Sequence, residues 1–215
     1  GLEALRDAAT GDILCSVAQS TFGTDFTAAV DYGTRLAWTD LLIDGVPVAD
    51  GEAYTFTAVG GSRRYRYSAT SADGPVSGDI RFTYLPIMLL QGDFGKEYAN
   101  GGVTLMMPGE PTDGLWPAKI KWRGTYSNYA GRNKRNYHIK FVDDAGEKKD
   151  RRLFGLRKDN SWLLDGGQID LGRIRNRVAT ETWLDFNARP HYADEEPAML
   201  PGVRGQTCEI FLNDE

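Results

Sequence analysis

Two runs with a strict two-residue alternation lie near the middle of the chain, at residues 118–123 and 136–141. In the first run Ile120 and Trp122 alternate with cationic side chains, and in the second Ile139 is flanked by polar ones. This alternation is typical of a half-buried strand, whose successive side chains point to opposite faces. We therefore predict two strands, each with an apolar and a cationic face, joined by a polar, glycine-containing connection.

The first 85 residues contain six short runs rich in Val, Ile, Thr, Tyr and Phe, separated by Gly, Asp and Pro. The runs cover residues 12–19, 26–32, 37–43, 52–59, 64–70 and 79–85. Short strands at a spacing of about 10 to 15 residues predict a β-sandwich of immunoglobulin type. The Cys, Trp, Cys spacing of true immunoglobulin domains is missing. We expect this module to act as a spacer or adhesion module.

A helix is predicted over residues 170–187, with Asp170 as a suitable N-cap for the positive end of its dipole. Its apolar residues at helical spacing are Leu171, Ile174, Val178 and Phe186. This spacing predicts one buried stripe. In the segment before the helix we expect Trp162 to belong to the core.

Composition changes near residues 86–114, which favours two domains over one. With 215 residues, of which 41% are hydrophobic, the chain is long enough for two small cores. We predict an immunoglobulin-like β-sandwich at residues 1–88 and a second part of α+β class at residues 89–215. The whole chain is then mainly β.

Residues 119–140 contain seven Lys or Arg and no Asp or Glu, in a chain whose net charge is -5. A local excess of one sign marks either a solvated face or an anion site. Edge strands also carry Lys, because it discourages pairing with other strands. An acidic pI near 5.2 argues against general nucleic-acid binding. One basic patch on an acidic chain instead favours a small or local anionic ligand.

Cysteines and histidines give no sign of a metal centre or of a catalytic triad. Cys15 and Cys208 fall in different predicted domains, so we expect no disulfide between them, and CxxC spacing is absent. Neither His138 nor His191, the only histidines, has a carboxylate or cysteine pattern around it. Both are expected to be ordinary strand or surface residues.

Five motifs follow one another in residues 115–215. They are KIKWRG, KRNYHIKF, RRLFGLRKDNSWLL, RIRNRVATE and CEIFLNDE. Together they resemble the N-terminal half of the spore-coat protein H (CotH) kinase family. That family pattern has a strand ending in RG, a basic YxIKF strand, an LxGL segment followed by Trp, a helix with an RN pair, and a strand ending in a Leu-Asn turn. Their order and spacing carry the resemblance, since no single motif is diagnostic.

The resemblance implies a partial, atypical kinase-like α+β domain with nucleotide or phosphate ligands. Lys140 would be the strand lysine that reaches the phosphates, Glu181 its partner on the helix, and Arg123 a further phosphate ligand. Arg175 and Asn176 match the RN pair. They either complete an anion pocket or hold the helix in place through hydrogen bonds.

The resemblance also implies that the full-length parent uses ATP and Mg²⁺ to phosphorylate a protein substrate. The family's metal-binding and catalytic aspartates are expected beyond the returning strand that would follow Asn213. No catalytic and no metal-binding residue is therefore predicted within this chain, and we expect it to be truncated at its C-terminus and inactive on its own.

The alternative is a non-catalytic cell-surface binding or adhesion protein, whose β-sandwich recognises a glycan or a protein partner. Both interpretations suit an exported or surface-tethered bacterial protein. The sequence contains no run of about 18 apolar residues, so no transmembrane segment is predicted. The chain opens on Gly1 without an initiator Met, so we expect that an export signal has been removed.

Overall fold

The computed structural model of the chain describes residues 3–110, 112, 114–126, 134–170, 172–187, 191, 193–195 and 202–213. The strands are β1 (Ala4–Arg6), β2 (Ile13–Ser16), β3 (Phe26–Val30), β4 (Thr39–Ile43), β5 (Val46–Pro47), β6 (Glu52–Phe56), β7 (Tyr65–Ser71), β8 (Gly74–Thr83), β9 (Ile87–Gln91), β10 (Ala99–Met106), β11 (Trp116–Trp122), β12 (Tyr137–Phe141), β13 (Arg151–Arg152), β14 (Lys158–Asp159), β15 (Ser161–Leu164) and β16 (Glu209–Leu212). The helices are α1 (Gly33–Leu36) and α2 (Arg175–Phe186), with a 3-10 turn at Gln19–Thr21. Strands account for 42% of the residues that the structure describes, so the fold is mainly β, as predicted.

Two compact units make up the chain, and each draws on separated stretches of sequence. The first comprises Gly1–Gln91, Thr104–Leu115 and Cys208–Glu215, and the second comprises Gly92–Val103 and Trp116–Thr207. Strand β10 therefore contributes residues to both. The sequence-based division into residues 1–88 and 89–215 stays a prediction. Cys15 and Cys208, which that division separates, both belong to the first unit, and neither forms a disulfide.

The first unit is built on a six-stranded sheet in the order β1-β2-β8-β7-β4-β5 and on the separate pair β3-β6. All neighbouring strands are antiparallel except β2 and β8, which run parallel. The six predicted runs correspond to β2, β3, β4, β6, β7 and β8. This arrangement is compatible with a β-sandwich, while the immunoglobulin type stays a prediction.

Aromatic side chains fill the core of the first unit. The ring of Phe56 meets those of Tyr65 and Phe82 edge to face, at centroid distances of 5.1 and 5.0 Å. The buried hydroxyl of Tyr67 donates a hydrogen bond to the Gly11 carbonyl at 2.6 Å. Edge-to-face contacts are favoured between aromatic rings, and buried polar groups need partners. The core is thus held by specific ring geometry as well as by apolar burial.

Strand β16 pairs in parallel with β9, which brings distant parts of the chain into one small core of the first unit. Leu5, Ile87, Leu89 and Met106 are buried together, and Phe211 packs against them. The sequence predicts a strand at residues 207–212, and the structure confirms one at Glu209–Leu212.

The sheet of the second unit is formed by strands in the order β15-β12-β11-β10, and each neighbouring pair is antiparallel. Strands β13 and β14 form a short pair of their own. Ala118 and Ile120 of β11 are buried, as are Ile139 and Phe141 of β12. These residues confirm the two-residue alternation predicted for both strands.

Helix α2 begins later than predicted. It spans Arg175–Phe186, whereas the sequence placed its start near Asp170. The Asp170 carboxylate accepts a hydrogen bond from the Arg175 N–H at 2.8 Å, so Asp170 still provides a partner for a backbone N–H at the start of the helix.

The predicted buried stripe of this helix is wrong. The exposed fractions of Ile174, Val178 and Phe186 are 60%, 51% and 85%, and Leu171 lies outside the described residues. Helical spacing shows that apolar residues share a face, but it does not show that another element covers that face.

The prediction that Trp162 belongs to the core is wrong, because its side chain is only half-buried. Its strand, β15, stands at the end of the strand order, and among the described residues it pairs with β12 alone. The indole Nε1 donates to the Asp159 carbonyl at 2.9 Å, and the ring thus keeps a polar partner at the sheet edge.

Candidate anion-binding site

Cationic side chains of β11 and β12 lie opposite each other on one face of the second unit's sheet. Lys119 is paired with Lys140, and Lys121 with His138. The alternate residues are buried, apart from the half-buried Trp122, which directs these side chains to the opposite face. We name this surface the cationic face, with Arg123 as its last member. Like charges opposite each other on two strands destabilise a sheet, so these cations need compensating partners.

Tyr98 is one such partner. The ammonium nitrogens of Lys121 and Lys140 lie 4.5 and 4.8 Å from the centre of its ring, which is within cation–π range. Its hydroxyl oxygen is 2.9 Å from His138 Nδ1. One aromatic side chain therefore contacts three members of the cationic face.

The ring of His138 has hydroxyl partners at both nitrogens, since Nε2 lies 2.8 Å from Ser161 Oγ. Burial, followed by the charges of Lys140, Lys121 and Arg123, lowers the pKa of His138 below its ordinary value of 6.5. The imidazole is therefore neutral at pH 7, where one nitrogen donates a hydrogen bond and the other accepts one.

Beyond the end of β11 the surface opens into a cleft of about 480 Å³, which we name the Arg123 cleft. Its charged and amide-bearing lining residues are Arg123, Lys134, Asn136, Asp165, Gln168, Asp170, Arg175 and Asn176. The Arg123 N–H donates to the Asn136 carbonyl at 2.8 Å, which extends the pairing of β11 and β12 by one residue. The cleft is thus a continuation of the cationic face.

Two carboxylates orient the first residues of α2. Asp170 accepts the Arg175 N–H through Oδ2, and its Oδ1 lies 3.3 Å from Arg175 Nε. The bond from the Arg175 N–H lowers the pKa of Asp170 below its ordinary value of 3.8. Asn176 Nδ2 donates to Asp165 Oδ2 at 3.1 Å. These contacts favour the interpretation that the RN pair holds the helix, and they also set both side chains at the cleft.

Three of the five residues predicted for the nucleotide or phosphate site line the Arg123 cleft. They are Arg123, Arg175 and Asn176. Lys140 instead lies within the cationic face. The Glu181 carboxylate pairs with Arg177, four residues earlier on α2. In the described part of the chain no ion pair joins Glu181 to Lys140, so the partner that the resemblance implied for Lys140 is not found there.

Local sequence gives no sign that Tyr98 or Ser161 belongs to the site, and it predicts His138 to be an ordinary strand or surface residue. Alternation alone places His138 on the cationic face. Its two hydroxyl partners, however, lie 40 and 23 residues away, and no local pattern connects them.

The fold and the site define a mainly β protein of two units, the second of which carries a cation-lined cleft. No known protein family, curated protein or solved structure matches the chain. Within the described residues, no helix has the length and apolar character needed to span a membrane.

Proposed function

We propose that the second unit binds the phosphate groups of a nucleotide through the Arg123 cleft and the cationic face. It would be the N-terminal portion of a CotH-family, atypical kinase-like domain. The full-length parent would use ATP and Mg²⁺ to phosphorylate a protein, and this chain would be inactive alone. The supporting observation is that Arg123, beyond the end of β11, and Arg175, on α2, line one cleft.

Charge and geometry both support phosphate as the ligand. Arg123, Lys134 and Arg175 contribute positive charge to the cleft, against the carboxylates of Asp165 and Asp170. A guanidinium group presents its N–H donors in a fork that matches phosphate oxygens, and such charge-assisted hydrogen bonds are among the strongest in proteins. The cleft therefore has an excess of donors suited to an anion.

The residues present suit phosphate better than they suit Mg²⁺. Magnesium prefers oxygen ligands, usually one or two carboxylates together with the phosphates themselves. In the ranges that the structure describes, no three His, Cys, Asp or Glu side chains come together as a metal centre would require. We therefore assign phosphate contacts to this chain and leave the metal to the rest of the proposed parent.

Two arginines provide a matched test. Arg175 pairs with Asp170 and Arg157 pairs with Asp159, and their side chains are 80% and 72% exposed. Of the two, Arg175 lines the cleft. We expect Arg175→Gln to weaken ATP and tripolyphosphate binding about tenfold or more, the effect of losing a hydrogen bond to a charged group. Arg157→Gln should bind both ligands as tightly as the wild type does. Isothermal titration calorimetry without Mg²⁺ measures the dissociation constants of both variants.

Thermal unfolding gives an independent measure of the same binding. A ligand present at 100 times its dissociation constant should stabilise the wild type by about 2.7 kcal/mol. Absence of wild-type binding in both assays would overturn the proposal. Equal dissociation constants for the two arginine variants would remove the Arg123 cleft as its location.

A separate cleft in the first unit favours a second candidate function, the recognition of a glycan or protein partner at a cell surface. This cleft measures about 420 Å³ and includes Tyr84, which is 46% exposed and lies edge-on to Phe22 at 5.2 Å. Arg81 and Asp12 form a 2.7 Å ion pair in its wall. An exposed aromatic ring beside fixed polar groups is a common design of binding sites.

A glycan array tests this second candidate with a matched pair of variants. Tyr84→Ala should abolish binding, whereas Val46→Ala, at a 52% exposed apolar residue outside the cleft, should not. An array on which the wild type binds nothing would count against glycan recognition.

A further inference from the structure

His138 lies between two hydroxyl groups in the middle of the cationic face. Tyr98 Oη is 2.9 Å from its Nδ1, and Ser161 Oγ is 2.8 Å from its Nε2. A neutral imidazole carries a single N–H. One hydroxyl group therefore accepts a hydrogen bond from the N–H of the ring, and the other donates a hydrogen bond to the unprotonated ring nitrogen.

Protonation of His138 changes the donors that this face offers. The imidazolium donates from both nitrogens, so both hydroxyl oxygens become acceptors. The hydroxyl hydrogen that had pointed at the ring is then released and can turn toward a ligand. The face gains one positive charge and one O–H donor, and an anion interacts favourably with both.

The charges around the ring oppose protonation until an anion is present. Lys121 and Arg123 of the β11 side and Lys140 of β12 act on the ring together with its burial, while Tyr98 and Ser161 are neutral partners. A bound phosphate would offset these positive charges and favour the imidazolium. By thermodynamic linkage, protonation of the ring must then tighten phosphate binding to the same extent.

We propose that His138 is a titratable ligand-sensing residue of the cationic face, so that polyphosphate binds more tightly as the pH falls below neutral. This inference rests on the proposed function, since it requires phosphate to bind on this face. The group recognised is the phosphate chain, whether it belongs to a nucleotide or to inorganic polyphosphate.

The inference is tested by measuring the dissociation constant of tripolyphosphate at about pH 8 and at about pH 5.5. The measurement is made on the wild type, on His138→Gln and on His191→Gln. Dividing the dissociation constant of each variant by that of the wild type at the same pH removes the effect of the ligand's own titration. The tightening on acidification should be on the order of tenfold greater in the wild type than in His138→Gln, the effect of one added charge near the ligand. His191→Gln should behave as the wild type.

ATP serves as a second probe in the same titration. Equal tightening for ATP and tripolyphosphate would support recognition of the phosphate chain. Tightening confined to ATP would show that the base or ribose responds to pH, and it would overturn the inference as stated.

An NMR titration of the unaltered protein supplies a measurement that needs no variant. The chain has two histidines, so His191 is an internal reference. The pKa of His138 should lie below 6.5 without ligand and should rise when tripolyphosphate is added. Binding at pH 8 with an unchanged His138 pKa would overturn the inference and leave the proposed function intact. Absence of binding at every pH would overturn both.

Discussion

His138 is a residue at which hydrogen bonding and charge act in opposite directions. The hydroxyl groups of Tyr98 and Ser161 hold its ring, whereas burial and then the charges of Lys140 and Lys121 oppose its protonation. In the unfolded chain the ring is hydrated and its pKa returns toward 6.5. The unfolded state therefore binds a proton more readily than the folded state does.

We expect the free energy of unfolding to decrease as the pH falls from about 6.5 through the lower, folded-state pKa of His138, because the unfolded chain then takes up a proton that the folded chain does not. Urea denaturation between about pH 8 and pH 5 measures this decrease. Over that interval the wild type and His191→Gln should lose more stability than His138→Gln. An equal loss in all three would contradict the prediction.

Two carboxylates with lowered pKa values, Asp50 and Asp170, titrate below this interval. Backbone hydrogen bonds from Gly33 and Tyr32 hold the pKa of Asp50 below 3.8, and one from Arg175 does the same for Asp170. The stability that these two groups contribute is present above pH 3.8 and is lost as the pH falls through their folded-state pKa values. Their effect therefore lies at lower pH than that of His138.

Among the elements, strand periodicity predicted burial correctly and helix periodicity did not. Alternation in β11 and β12 identified Ile120 and Ile139, both of which are fully buried. Helical spacing identified Ile174 and Phe186 in the same way, yet both are largely exposed. Spacing aligns residues on one face, whereas the element that covers the face comes from elsewhere in the chain. Local sequence therefore could not determine the environment of α2.

Shortening a side chain should affect the free energy of unfolding little on the exposed side of α2 and strongly on the buried face of β12. Phe186→Ser should change the free energy of unfolding by less than about 0.5 kcal/mol, because an 85% exposed side chain loses little burial. Ile139→Ala should lower it by about 2–5 kcal/mol through lost burial and a cavity. Urea denaturation measures both. A comparable loss for Phe186→Ser would show that the apolar side of α2 is covered in solution.

At the scale of the whole molecule, strand positions could be predicted but distant pairings could not. Alternation located β11 and β12, and charge indicated that Arg123 belongs to a cationic surface. The parallel pairing of β16 with β9 joins residues more than a hundred positions apart, and no local pattern encodes it. The same holds for Tyr98, which reaches His138 across 40 positions. The cleft forms through such distant pairings. The sequence could therefore suggest some of the residues that line it but not how they are arranged in space.

The two cysteines report on the first unit as a whole, because both belong to it and differ in burial. Cys15 lies in the aromatic core, and burial raises its pKa to about 11. Thiol reagents attack the thiolate and need access to it, so Cys15 should react only when the unit opens. Cys208 is half-buried and should react first.

We expect a disulfide reagent to modify one thiol promptly in the native protein and the second only as urea unfolds the first unit. Cys208→Ser should retain only the slow reaction, and Cys15→Ser only the fast one, which assigns each phase to its residue. Since modification of Cys15 requires opening of the core around β2, its rate against urea concentration measures the stability of the unit that contains it. Prompt modification of Cys15 in native Cys208→Ser would mean that this core opens without unfolding.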